Sequence, residues 1–291
     1  MQATIFAIIS SIGFGISNAY WKKAHADVSF PTMVFYRGLL GASFLGITWM
    51  LCSYYDVQVL DIGKHTAPFS EYVKAWFLCV FCSLGLVSFL QSLKYSSVSV
   101  TVPISSVNLF NILTAVFVLH EAFKNIYFLS FPLAALGVII INVKKGEKSV
   151  WNKGAAYAIL ATFFWGISYA LFKFTIQAIG PLALSFILEF AVTFTAFCWM
   201  FLSNNKPKKE DLAKENVRHY IVLASLLIIN SIFFNLALQG LSVLTFNLLT
   251  YLQTVVSIAL GIIMFKEKLS TRQYIGIACI VCSILLTQLY G

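Results

Sequence analysis

Long apolar runs, each close to the roughly 20 residues that carry an α-helix across a bilayer, follow one another along nearly the whole of this chain. Only short polar stretches separate them. Charged residues make up 11% of the 291, where a soluble domain carries about 25%. The runs predict ten spanning helices, at 2–21, 31–54, 73–93, 99–119, 126–143, 154–173, 182–202, 220–238, 244–265 and 273–290. A spanning strand barrel needs alternating segments of about ten residues, and no such segments are present. The chain reads as an all-α polytopic membrane protein whose first partner is the lipid bilayer. The N-terminus is apolar almost from Met1 and lacks the positive start of a secretory signal, so it is expected to remain as the first helix.

The runs come in two matching sets. Trp165-Gly166-Ile167-Ser168 closes on Lys173 as Phe14-Gly15-Ile16-Ser17 closes on Lys22. Pro31 and Pro181 each open a second span, and Leu93-Lys94-Tyr95-Ser96-Ser97-Val98 answers Leu238-Gln239-Gly240-Leu241-Ser242-Val243. The fourth span ends at His120-Glu121 and the ninth at Lys266-Glu267. Residues 1–143 therefore form one five-helix repeat and residues 154–291 a second, joined by a linker at 144–153. Five is odd, so the second repeat enters the membrane from the opposite face. Inverted repeats of this kind are the architecture of secondary transporters.

The net charge of +9 does not point to nucleic acid, because the basic residues lie in short loops rather than on one surface stripe. Odd-numbered loops hold most of them, from Lys22 and Lys23 to Lys266 and Arg272, while even-numbered loops hold Lys64, Lys74 and Lys124. The positive-inside rule then puts the odd loops in the cytoplasm and both termini outside. Six cysteines sit within apolar runs, two pairs of them spaced C-x-x-C, Cys79/Cys82 and Cys279/Cys282. That spacing can hold a metal or a redox couple, but no His, Asp or Glu lies beside either pair. Small, packable helix-face residues are the simpler reading, and neither cofactor nor metal is expected.

Taken together, these motifs resemble the drug/metabolite transporter superfamily, specifically its EamA branch with two EamA repeats. The matching features are the Gly-x-Ser first helix of each half with its Lys, and Pro31 followed by Phe35-Tyr36-Arg37. The Glu after each fourth span and Glu267-Lys268-Leu269-Ser270 leading to Gly276 also match. Ile187 stands where a second Arg would fall, with Glu189 two residues on. The resemblance implies a carrier of small organic solutes such as amino acids, often moved outward, in a bacterial inner (plasma) membrane. It also covers relatives that move nucleosides, nucleotide sugars or sugar phosphates. It implies termini in the cytoplasm, the reverse of what the loop charges imply.

Polar side chains are costly in hydrocarbon, so they line a cavity or pack between helices. Helical spacing places Asn247, Thr250, Tyr251 and Thr254 on one stripe of the ninth span, and Thr101, Ser105, Asn108 and Asn111 on one of the fourth. Asn18 lies on the inward stripe of the first span, Trp165 and Tyr169 on that of the sixth. Tyr95 and Asn235 extend the set from the third and eighth spans. Arg37, about two turns into its span, either neutralises an anionic solute group, pairs with a neighbouring helix, or snorkels to the interface. Glu189 is either a proton-coupling carboxylate or the partner of another polar group. Spacing does not support contact between Arg37 and Glu189, whose helices enter from opposite faces. Glu121 and Glu267 close equivalent helices, as helix-end hydrogen-bond groups or as gate contacts.

Three function classes follow. A secondary carrier working by alternating access leads. No G-x-x-x-x-G-K stretch occurs, which argues against a primary pump. A membrane-embedded enzyme needs a nucleophile, base or metal cluster, whereas His25, His65, His120 and His219 are scattered, so no catalytic residue is assigned. An assembly protein would use the small-residue face of Gly38, Ala42 and Gly46 to bind a partner helix or form a homodimer.

Overall fold

The structure, a computed structural model, describes residues 1–25, 28–55, 67–96, 98–105, 109–142, 153–203, 208–266 and 270–290. The first repeat contains α1 (Gln2–Ala24), α2 (Phe30–Tyr54), α3 (Phe69–Tyr95), α4 (Val98–Ser105), α5 (Leu109–Phe117) and α6 (Tyr127–Asn142). The second contains α7 (Lys153–Ile179), α8 (Pro181–Leu202), α9 (Lys214–Gly240), α10 (Val243–Thr250), α11 (Leu252–Phe265) and α12 (Thr271–Tyr290). No strand occurs among the described residues. Among the described residues seven helices are long and apolar enough to cross a membrane, with α10 and α11 counted as one 23-residue span. The α4–α5 pair, α6 and α12 complete ten crossings.

The ninth span, expected to be a single helix, is two, α10 and α11; the fourth is described as α4 and α5, on either side of residues 106–108, which lie outside the described residues. Around Tyr251 the ladder tightens: Tyr251 N–H reaches Leu248 O at 3.4 Å, and the Thr250 hydroxyl donates to Asn247 O at 2.7 Å. Hydropathy runs unbroken through this point, so an apolar window does not see the interruption. The fourth and ninth spans both end in the left-handed conformation, at His120 (φ 53°) and Lys266 (φ 53°), which are equivalent positions of the repeat. The sixth span is longer than expected: α7 runs on to Ile179, because nothing stops it before Gly180 and Pro181. Gly180 has φ 82°, a conformation open to glycine at little cost, and Pro181 then fits the first helical turn, where its missing N–H is not needed.

Packing follows a pseudo-two-fold axis. As α1 packs on α9 and α11, so α7 packs on α3 and α5. Helices α2 and α8 pack on each other, as do α6 and α12, so the axis passes between these self-equivalent pairs. Helices α1 and α9 are antiparallel, with Phe6 against Phe233 and Tyr20 against His219. The two termini therefore lie at one end of the bundle. The basic turns after α1, α3 and α11 lie at the other. Each end holds its own buried apolar cluster, one built around Ile176, Leu238 and Leu244, the other around Trp21, Leu90 and Val98. Large apolar side chains such as Phe77 (68% exposed) and Ile263 (73%) face outward, a surface suited to lipid and not to water.

The shared Gly-Ile-Ser segments explain how α11 comes so close to α1, and α5 to α7. A Cβ on Gly15 would lie 2.6 Å from Val256 Cβ on α11; one on Gly166 would lie 2.7 Å from Phe110 Cβ and 2.9 Å from Asn111 N on α5. The small face of α2 is likewise spent inside the chain, with Gly38 against Thr193 and Gly46 against Phe186 of α8. That face packs internally and is not free to bind a partner helix. Gly166→Ala should destabilise the fold by about 1–3 kcal/mol through overpacking. Thermal unfolding of the detergent-solubilised protein measures this, and an unchanged midpoint would count against so tight a contact.

Candidate functional site

Between the two apolar clusters the helices leave a central cavity with two overlapping lobes, of about 80 Å³ and about 70 Å³. Both lobes are lined by Phe14 of α1, Leu86 of α3, Trp165 and Tyr169 of α7, and Leu227 and Phe234 of α9. These are the helices that swap roles across the pseudo-two-fold axis. Aromatic side chains form a continuous part of the wall. Trp165 and Tyr169 stack one helical turn apart at 6.2 Å, Tyr169 meets Phe234 at 4.8 Å, and Phe234 meets Phe246 edge-on at 4.8 Å. Such a shelf offers planar surface to an apolar or aromatic group of a solute.

Two charged side chains stand in the wall among the described residues, Arg37 and Glu189. They form a buried ion pair, Arg37 Nη1 to Glu189 Oε2. This corrects the expectation that they do not meet. Their helices do enter from opposite faces, but α2 and α8 are the self-paired helices at the axis. Gly41 lets the Glu189 side chain lie against α2, 3.1 Å from where a Cβ would stand. Arg37 reaches inward rather than snorkelling outward. Its guanidinium carbon lies 5.5 Å from the centre of the Trp21 ring, within cation–π range. Its Nε has no hydrogen-bond partner among the described residues. An ion pair this deep satisfies each charge through the other, and removing one partner strands the second.

The other expected site residues divide. Asn18 and Asn247 line the cavity with Trp165 and Tyr169, and Asn247 Nδ2 is buried without a partner among the described residues. Asn235 instead ties α9 to α8, donating to Pro181 O (3.2 Å) and Ser185 Oγ (2.8 Å). Asn111 lies against Gly166, buried away from the cavity wall. Tyr251 is buried at the α10–α11 break. Tyr95 is 47% exposed at the end of α3, stacked on Tyr157, and does not line the cavity. Glu121 caps α10, accepting from Val243 N (2.7 Å) and Leu244 N (3.0 Å). Asn108 and Glu267 lie outside the described residues. Cys79 and Cys82 are buried on α3 and form no disulfide, and Cys82 is part of the cavity wall.

Several wall residues had no signal in the sequence. Phe234, Phe172, Leu188 and Leu86 face the cavity, yet a search for polar stripes passes over them. With 27 phenylalanines in the chain, most of them facing lipid or core, no spacing singles out these. Ser231, whose hydroxyl is buried without a partner among the described residues, lies one turn before Asn235 on α9 and was the nearest clue.

Comparison with known proteins agrees with this architecture. Residues 1–143 and 152–289 each match the EamA-like transporter family. A protein of Archaeoglobus fulgidus described as an uncharacterized transporter is 24% identical over 99% of both chains. A crystal structure of another protein superposes with a TM-score of 0.75 at 15% identity, covering 99% of this chain and 96% of that one, a likeness of fold. Within the wall, Arg37→Met alone should remove roughly 3–5 kcal/mol of stability by stranding Glu189. Adding Glu189→Met should restore most of it. Denaturant titration of the three variants measures the difference, and a double variant no more stable than the single would mean that the pair is not mutually dependent.

Proposed function

We propose that this chain, which belongs to the EamA-like transporter family, is a secondary carrier that exports an amino acid or a similar small organic metabolite by alternating access. The central cavity lies between two inverted halves, with a buried apolar cluster towards each end. Rocking of the halves about the axis would open one end as the other closes. The observation that carries the substrate reading is the neutralised pair in an aromatic wall. Arg37 with Glu189 presents both signs of charge and no net charge. A phosphate dianion needs uncompensated positive charge there, so sugar phosphates and nucleotides fit this wall poorly. A zwitterion matches it: its carboxylate reaches the unused Nε of Arg37, its ammonium approaches Glu189, and its side chain lies on Trp165 and Tyr169.

The same pair supports proton coupling. A proton on Glu189 would displace the solute ammonium, and loss of that proton would restore the carboxylate that receives the next solute. The basic turns gathered at the end opposite the termini favour a cytoplasmic placement of that end.

Flux in proteoliposomes tests the reading. An amino acid panel should move, while the corresponding methyl esters, N-acetyl derivatives and sugar phosphates should be at least about tenfold slower, the loss expected when one buried charge contact goes unmade. Preference for a sugar phosphate over every amino acid would reject the zwitterion reading. Glu189→Gln should abolish pH-driven flux and leave solute exchange in place, slowed about tenfold as for the N-acetyl derivatives; a retained pH dependence would remove the proton from the mechanism.

A further inference from the structure

The carbonyl ends of α3 and α9 are each met by a lysine from the first helix of the same half. Lys22 Nζ donates to the carbonyls of Leu93 (3.3 Å) and Ser96 (2.7 Å). Lys173 Nζ donates to those of Leu238 (2.8 Å), Gln239 (3.2 Å) and Leu241 (2.5 Å). The acceptors match across the repeat, Leu93 with Leu238 and Ser96 with Leu241. The inversion of the halves puts the two lysines at opposite ends of the bundle. At the end that carries the termini, the α9–α10 corner is also held by the Glu121 carboxylate on the first N–H groups of α10, and Tyr127 of α6 adds a hydroxyl contact to Thr245 at 2.9 Å. A cation at the end of α9 and an anion at the start of α10 both oppose the helix-end partial charges.

We propose that these lysines are the latches of two gates: Lys173, helped by Glu121, holds the α9–α10 corner shut over one end of the cavity, and Lys22 holds the α3–α4 corner shut over the other. This rests on the carrier reading above. The last carbonyls of a helix have no partner within it. A lysine serves them while the corner is closed, and water can take its place once the corner is open, so release leaves no polar group bare. Deeper contacts, such as Ser11 Oγ to Leu249 O at 3.3 Å, have no such substitute in the interior. The lysine bonds are thus the ones that can break and re-form at low cost. Val98 and Val243, equivalent residues at the two corners, are both fully buried, so each corner is shut in this structure.

The test uses a chain whose six cysteines are replaced, carrying one reporter, Val98→Cys or Val243→Cys. A membrane-impermeant thiol reagent is applied from either side of sealed vesicles. Lys173→Met should raise labelling of the Val243→Cys reporter and lower that of the Val98→Cys reporter, by roughly tenfold, as expected for losing charge-assisted hydrogen bonds. Lys22→Met should do the reverse. Glu121→Gln should shift the reporters in the same direction as Lys173→Met, and it stands in for that variant if it does not fold. Variants that move both reporters alike, or neither, overturn the latch. Flux by the otherwise unaltered reporter chains separates the two ideas. Transport with no opposed response in the variants sinks the latch alone; no transport of any solute, with reporters indifferent to solute, sinks the carrier reading.

Discussion

In hydrocarbon every backbone N–H and C=O needs a partner within the protein, and a broken helix exposes more of them than a continuous one. The ninth crossing is broken at Tyr251, and much of the structure around it supplies what the break and the helix ends leave open. The Gly15 and Gly166 notches bring α11 and α5 close enough for backbone and side chain to meet, so that Ser257 Oγ reaches Gly15 O at 3.1 Å. Ser11 reaches across to Leu249 O, next to the break in the ninth span. The ends of α3 and α9 take their partners from charged groups, the lysine ammoniums on the carbonyls of both, and Glu121 serves the first amides of α10. The cavity lies where these irregular segments meet the long helices, as expected if irregular backbone at membrane depth is tolerated only where protein or water surrounds it.

The ion pair depends on the same geometry. Inverted repeats bring equivalent helices together at their axis, and α2 and α8 are such a pair. A residue some two turns into one helix can thus meet its counterpart's neighbour near mid-membrane, provided one of the two side chains is long. Arg37 supplies the length and Glu189 the acceptor. The charges are held in the cavity wall by packing that involves Gly38 and Gly41 of α2, so small residues on one helix set the position of charge on the next.

Much of this was legible in the chain. Run length and the offset between Gly15 and Gly166 were enough for ten crossings, two repeats and their inversion. Asn18, Trp165, Tyr169 and Asn247 were placed on the cavity by helical spacing, and all four line it. What escaped has a physical reason in each case. The break at Tyr251 is invisible to hydropathy because its flanks are as apolar as a continuous span. The Arg37–Glu189 contact depends on which helices pair across the repeats, and periodicity within one helix carries no information about that. Asn235 has the spacing of a cavity residue but spends its amide on Pro181 and Ser185, since a stripe facing inward faces other helices as readily as a void.

The two lysines bind main chain and not side chain. Their acceptors are carbonyl oxygens, which every residue has, so the corners they hold are under no pressure to keep particular amino acids. Leu93-Lys94-Tyr95-Ser96 and Leu238-Gln239-Gly240-Leu241 indeed share only their first residue, while a lysine meets each corner. Duplicated machinery can therefore diversify the surface it shows to each side of a membrane without altering the contact that shapes it.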